Sequence, residues 1–150
     1  MTDGLVVAFG PFAATFAPSR AFDLASFPSG GAGTVGTARD YLRFLEAVRT
    51  GSIGLRPDTL AAVFHDQLAG ADPAELGPGV TFGFASSIIQ DPAKAESPVS
   101  PGTLLWGGAY GSTWWIDRQA KLSVVLLTNT AFEGMAGQVV KDVQRAVYGR

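Results

Sequence analysis

Apolar positions along this chain change their period several times, and each change predicts an element. From Met1 to Pro28 no period of 2 or 3.6 persists, although Phe9, Phe12, Phe16, Phe22 and Phe27 all fall there. The expectation for 1–28 is an irregular segment lying against something apolar. From Ala38 to Thr50, Tyr41, Phe44, Leu45 and Val48 recur at helical spacing, with Arg39, Asp40, Arg43, Glu46 and Arg49 on the other side. That spacing predicts an amphipathic helix with a buried stripe. Thr37 is placed to cap its first turn, and Gly51 to end it in a left-handed conformation. A second helix is expected to begin at Pro57, run to about Leu68 and bury Leu60, Val63, Phe64 and Leu68. Ala69 to Gly79 reads as loop.

Strand signals follow. Val80 to Gln90 reads as β, then Thr103 to Gly108, Ser112 to Asp117 and Leu122 to Thr128, with Arg118 to Lys121 as the last turn. Ser123-Val124-Val125-Leu126-Leu127 is almost unbroken apolar, as in a strand covered on both faces or set in mid-sheet. A final amphipathic helix, Glu133 to Tyr148, places Met135, Val139, Val143 and Val147 on one face. The order helix, helix, antiparallel strands, helix predicts an α+β fold. One unit suffices: 1–28 irregular, 29–79 helical, 80–150 sheet and C-terminal helix.

Composition narrows the function. Apolar residues make up 47% and charged residues 16% of 150 positions, a balance suited to a packed core. The 11 Lys and Arg against 13 Asp and Glu form no basic run, so nucleic-acid binding is not expected. Without cysteine, disulfides and thiolate chemistry drop out. No apolar run approaches the ~20 residues of a membrane span. Met1 to Phe16 lacks the basic start of a signal peptide. A soluble protein, cytoplasmic by default, is the expectation, with the compartment itself left open.

The chemistry is defined first by what is missing. The nucleophile pattern G-x-S-x-G does not occur, nor does Ser-x-x-Lys: Lys94, Lys121 and Lys141 follow Asp91, Arg118 and Gln138 at that spacing. The single histidine, His65, is followed by Asp66, but neighbours on a helix point apart. With no second histidine, no metal site or other cofactor is expected. What is present is the run Leu105-Trp106-Gly107-Gly108-Ala109-Tyr110-Gly111-Ser112-Thr113-Trp114-Trp115 between two predicted strands. Glycines weaken a strand unless something approaches its backbone. The run reads either as a Gly-rich hairpin with aromatic core residues or as a strand whose N–H groups meet a reacting carbonyl.

Several passages carry a resemblance. Phe27-Pro28-Ser29-Gly30-Gly31-Ala32-Gly33-Thr34-Val35-Gly36-Thr37-Ala38-Arg39-Asp40-Tyr41-Leu42-Arg43-Phe44 resembles a loop and helix of the class C β-lactamase-like serine hydrolases, especially their family VIII carboxylesterase branch. Arg56-Pro57-Asp58-Thr59-Leu60 resembles that family's S-P-x-T helix start. Trp106-Gly107-Gly108 is similar to its third motif, Lys-Thr-Gly or His-x-Gly, which reads Trp-Gly-Gly in the esterase branch. The resemblance spans about residues 20 to 148. It implies a partial β-lactamase-like (transpeptidase-like) fold lacking N-terminal strands, and a C-terminal part of the domain without the family's serine, lysine and second-motif tyrosine. Tyr110-Gly111-Ser112 spells a Tyr-x-Ser only by coincidence.

By the same resemblance, the backbone N–H of Ala109 is the second oxyanion donor, and Trp106, Gly107, Gly108 and Tyr110 line the substrate. Tryptophan in place of a cationic anchor favours a small ester over a β-lactam carboxylate. Alone, the chain is expected to be inactive. The strand 122–129 would be left as an apolar edge, free to take up an N-terminal half or to self-associate. The alternative is a non-catalytic binding or scaffold domain reusing the same fold.

Overall fold

A computed structural model describes residues 3–29, 31, 33–68, 70 and 76–149. Within them the chain is α+β. An antiparallel sheet of five strands in the order β3-β4-β5-β6-β7 is formed by Val80–Phe82, Ser87–Ile89, Thr103–Gly107, Thr113–Asp117 and Leu122–Leu126. Helices α1 (Ala38–Thr50) and α2 (Pro57–Val63) pack on one face. Helix α4 (Gln138–Tyr148), preceded by the short α3 (Glu133–Ala136), packs on the other.

Alternation along the strands builds two cores at once. Leu104 and Ile116 point toward α1, where they meet Leu45, Val48 and Ile88, with Trp114 and Val125 beside them. Leu105, Trp115 and Val124 point the other way, toward Val143 and Tyr148. Trp115 is fully buried at the centre of this second core. Burying a side chain of that size contributes roughly 3 kcal/mol or more. Helices cover both faces of β7, and apart from Ser123 its residues are apolar on both. Yet β7 pairs only with β6 among the described residues, so it is a sheet edge rather than a mid-sheet strand.

Helix α1 forms as its caps predict. Thr37 Oγ1 accepts the Asp40 N–H at 3.1 Å, and Gly51 closes the helix with φ 81°. Of the expected stripe, Leu45 and Val48 are buried. Tyr41 and Phe44 stay half-exposed, their rings 5.8 Å apart, with Tyr41 edge-on to Trp114.

Five expectations are corrected. First, residues 5–16 are not irregular: Leu5–Phe9 (β1) and Phe12–Phe16 (β2) pair antiparallel around Gly10-Pro11, and a 3-10 turn follows at Pro18–Phe22. A positive φ of 57° at Gly10 before a proline suits a two-residue hairpin turn. Apolar residues on both faces hid the alternation. Second, 80–90 is two strands, not one. Gly83 N–H donates to Ser86 O at 2.8 Å and turns the chain, in a stretch without the usual Asn, Asp or Pro punctuation.

Third, α2 stops at Val63 rather than running to Leu68, because β3 captures the next residues. Gln67 N–H donates to Phe82 O, and Thr81 Oγ1 donates to Asp66. Fourth, the C-terminal helix is broken at Gly137 (ψ 157°), where the Glu133 carboxylate accepts the Val139 N–H at 2.8 Å. The break takes Met135, on α3, out of line with Val143, which packs inward on α4; Met135 is exposed, and so is Val147 in the last turn of α4. Fifth, the last strand ends at Leu126, short of Thr128. Gly30, Ala32 and most of the loop Ala69–Gly79 lie outside the described residues.

Candidate functional site

The Trp106-Gly107-Gly108 passage occupies the end of β5, where the sheet changes width. On one side, the register with β4 ends at Ser87 opposite Leu105. On the other, β6 continues opposite it, Trp114 facing Trp106 and Thr113 facing Gly107. Beyond Leu105, β5 therefore has one paired edge and one edge uncovered among the described residues. Thr113 Oγ1 donates to Trp106 O at 3.1 Å and reinforces the paired side.

The strand then closes into a tight turn. Gly108 N–H donates to Ser112 O at 2.8 Å, and Gly111 N–H to Gly108 O at 2.9 Å, with Gly111 at φ 100°. Ala109 and Tyr110 are its central residues. Central N–H groups of such a turn find no partner inside it. The Ala109 N–H has no acceptor among the described residues.

Glycines here answer to different demands. A Cβ on Gly107 would lie 1.9 Å from Gly134 O, and one on Gly134 would lie 2.0 Å from Ser112 O. One on Gly111 would lie 2.4 Å from Thr128 Oγ1. The start of α3 thus lies directly against the β5–β6 backbone. Gly108 differs: a Cβ there would meet nothing within 4 Å. Nothing in the described chain requires glycine at that position.

Trp106 is 41% exposed on this wall, its ring edge-on to Phe82 with centroids 5.2 Å apart. Tyr110 is turned toward the N-terminal hairpin. Its hydroxyl accepts the Ala17 N–H at 3.1 Å, and its ring meets Phe16 edge-on at 4.9 Å. Phe132, whose ring also meets Phe16, donates its N–H to Ala109 O at 2.8 Å. The structure therefore brings Trp106, Gly107, Gly108, Ala109 and Tyr110 together on one turn. It adds Phe16, Phe82, Phe132 and Gly134, which the sequence reading missed. Two left a signal: Gly134 as a glycine inside a predicted helix, and Phe16 as one of the phenylalanines expected to lie against something apolar.

The remaining polar candidates are held elsewhere. His65 is exposed just beyond α2, and its neighbour Asp66 accepts from Thr81 Oγ1 and Leu68 N–H instead. Those bonds hold Asp66 below the usual carboxylate range. Lys94 pairs with Asp91 at 3.3 Å on the surface. Asp117, at the far end of β6, is fully buried. Burial alone would raise its pKa, but the N–H groups of Ala120 and Ser100 and the Tyr148 hydroxyl hold it below the ordinary value. It ties α4 to the sheet rather than facing the turn. A shallow groove of about 390 Å³ on α1, lined by Arg39, Leu42, Arg43 and Glu46 among others, also lies apart from the turn. The site is an open wall.

Known proteins resemble this chain in sequence and in fold. The family profile described as Beta-lactamase matches residues 4–148. Esterase EstB of Burkholderia gladioli is 49% identical over 138 residues, covering 92% of this chain and 35% of the relative. Among solved structures, EstCE1, described as a hydrolase with promiscuous acyltransferase activity, superposes with a TM-score of 0.88 at 45% identity. That match covers 99% of this chain and 40% of EstCE1. The simvastatin synthase LovD of Aspergillus terreus shares the fold, with a TM-score of 0.55 at 20% identity over 73% of this chain. The chain thus spans 35% of EstB, 40% of EstCE1 and 33% of LovD. With the profile covering nearly every residue, the chain belongs to the β-lactamase family.

Proposed function

We propose that this chain is the C-terminal part of a serine esterase or acyl-transfer enzyme and supplies one wall of its active site. The observation that carries the reading is the Ala109 N–H, without an acceptor among the described residues, on a turn at the end of β5 that β4 does not cover. In this reading a serine from a Ser-x-x-Lys segment, outside this chain, attacks the carbonyl carbon of a small ester or amide. The carbonyl electrons move onto oxygen, and that oxygen accepts the Ala109 N–H. The serine's proton passes to a base of the same segment and from it to the departing alcohol or amine as the tetrahedral species collapses, leaving an acyl-serine, which water or a second alcohol then resolves. Gly108 keeps the backbone bare, Trp106 forms an apolar wall, and Gly107 and Tyr110 shape its floor. An indole offers no charge for a β-lactam carboxylate, so neutral esters are favoured.

In the same reading the edge of β7 receives a strand from the remainder of the enzyme. A lone chain instead pairs with another copy through that edge. The alternative reading is a non-catalytic binding or scaffold domain that reuses the same fold.

Hydrolysis of p-nitrophenyl butyrate separates the two. The chain alone is expected to show background rates, and a mixture with a segment bearing Ser-x-x-Lys to show activity. Ala109→Pro removes the N–H and puts the ring Cδ in its place, at a turn position where proline is favoured. In the active mixture it is expected to lower kcat by roughly 10²- to 10³-fold, the value of one oxyanion donor. Fluorophosphonate labelling of a serine within this chain, or full kcat in Ala109→Pro, would refute the reading.

A further inference from the structure

Segments far apart in sequence converge on the turn Gly108–Gly111. The N-terminal hairpin contributes Phe9, Phe16 and the Ala17 N–H; the stretch after β7 contributes Thr128, Phe132 and Gly134. Phe132 is where they meet. Its ring stacks on Phe9, with centroids 4.5 Å apart and planes at 25°, and lies edge-on to Phe16 at 5.6 Å. Its N–H donates to Ala109 O. Its backbone is left-handed, φ 62° and ψ −4°, a conformation unfavourable for an aromatic residue and easy for glycine. A residue needed only to start the four-residue α3 would gain nothing from that strain.

We propose that Phe132 is a positioning residue for the oxyanion donor. Two peptide planes flank the Ala109 Cα. The first carries the Ala109 N–H and is fixed through Gly108 O, which accepts from Gly111. The second is fixed through Ala109 O, which accepts from Phe132. Locking the Phe132 ring between Phe9 and Phe16 aims its N–H, holds the second plane, and leaves the Ala109 N–H a single direction. The hairpin therefore acts on the turn across most of the chain's length. This inference rests on the reading of Ala109 as the donor.

Backbone ¹⁵N relaxation on the 150-residue chain tests it without requiring activity. Phe132→Gly keeps the N–H and relieves the left-handed backbone but removes the ring. The Ala109 order parameter is expected to fall from about 0.85 to below about 0.6 while Trp115 stays rigid, and Phe132→Tyr is expected to restore it. An Ala109 that stays rigid in Phe132→Gly overturns the proposal, as does an equal loosening of Trp115. Should Phe132→Gly not fold, Phe132→Leu replaces it: loosening confined to the turn supports the proposal, and unchanged order overturns it. With the Ser-x-x-Lys segment supplied, Phe132→Gly is expected to lower kcat at least tenfold with KM within twofold, and Phe132→Tyr to recover it. Loosened Ala109 with unchanged kcat sinks the donor reading and leaves the positioning intact. Rigid Ala109 sinks the positioning whatever happens to kcat.

Discussion

Gly107 and Gly108 are adjacent and identical in sequence, yet the structure assigns them opposite responses to one added methyl group. A Cβ on Gly107 would stand 1.9 Å from the carbonyl oxygen of Gly134, where contacts below 3.0 Å essentially never occur. The partner is backbone, so relief requires α3 to withdraw by roughly 1 Å from the β5–β6 hairpin. That movement also disturbs Gly134 against Ser112 and the Phe132–Ala109 hydrogen bond. Overpacking of this kind costs about 1–3 kcal/mol, and a rigid backbone neighbour puts Gly107→Ala at the upper end, near 3 kcal/mol. Gly108→Ala meets nothing within 4 Å and its φ is not positive. Reduced entropy of the unfolded chain then makes it neutral or stabilising by about 0.4–1 kcal/mol. Urea denaturation at matched concentration reads the difference. With a slope of about 2 kcal/mol per molar, Gly107→Ala is expected to lower the midpoint by roughly 1.5 M, while Gly108→Ala leaves it in place or raises it slightly. Equal midpoints for the two variants, or a less stable Gly108→Ala, would refute the packing argument. If the backbone of Gly108 also faces a substrate, Gly108→Ala loses activity without losing stability.

Other expectations follow from groups outside the turn. Asp117→Asn keeps one acceptor oxygen but turns an NH₂ toward the donors Ala120 N–H or Ser100 N–H and Tyr148 OH, costing roughly 1.5–3 kcal/mol. Because Asp117 is held below its unfolded value, its contribution is complete above about pH 4 and is lost as the pH falls through the folded value; the Asn variant should show a flatter acid limb in thermal unfolding. Glu46 is held at about 2 by Arg49, which donates to it at 2.7 and 2.9 Å. A carbon-detected NMR titration should give a midpoint near that value, returning toward about 4.3 in Arg49→Ala. Light scattering on the isolated chain should show self-association through the β7 edge; a stable monomer would argue against it.

How much of this was legible beforehand depended on whether the signal was local. Helix α1 was readable from Thr37 to Gly51, because caps and a 3.6-residue stripe are properties of neighbouring residues. The paired ladder of β5, β6 and β7 was readable for the same reason, as was the run Trp106 to Tyr110. The N-terminal hairpin was not. Val6, Ala8 and Ala13 are as apolar as Val7, Phe9 and Phe12, so alternation vanished, and only Gly10-Pro11 marked the turn. The break at Gly137 escaped because the carboxylate that caps the new start, Glu133, belongs to the preceding turn.

The class of the fold, the place of its long helices and strands, and the motif on which the chemistry is read were all legible along the chain. Those follow from periodicity and residue type, which act over a few positions. Tertiary structure alone decided which glycine is held by packing and which is open, where β4 stops covering β5, and which distant aromatic residues grip the turn. Phe9, Phe16 and Phe132 are unremarkable apolar letters until the hairpin folds back across the sheet. Contacts between segments so far apart carry no local pattern, since they depend on how backbones approach in space rather than on their order along the chain.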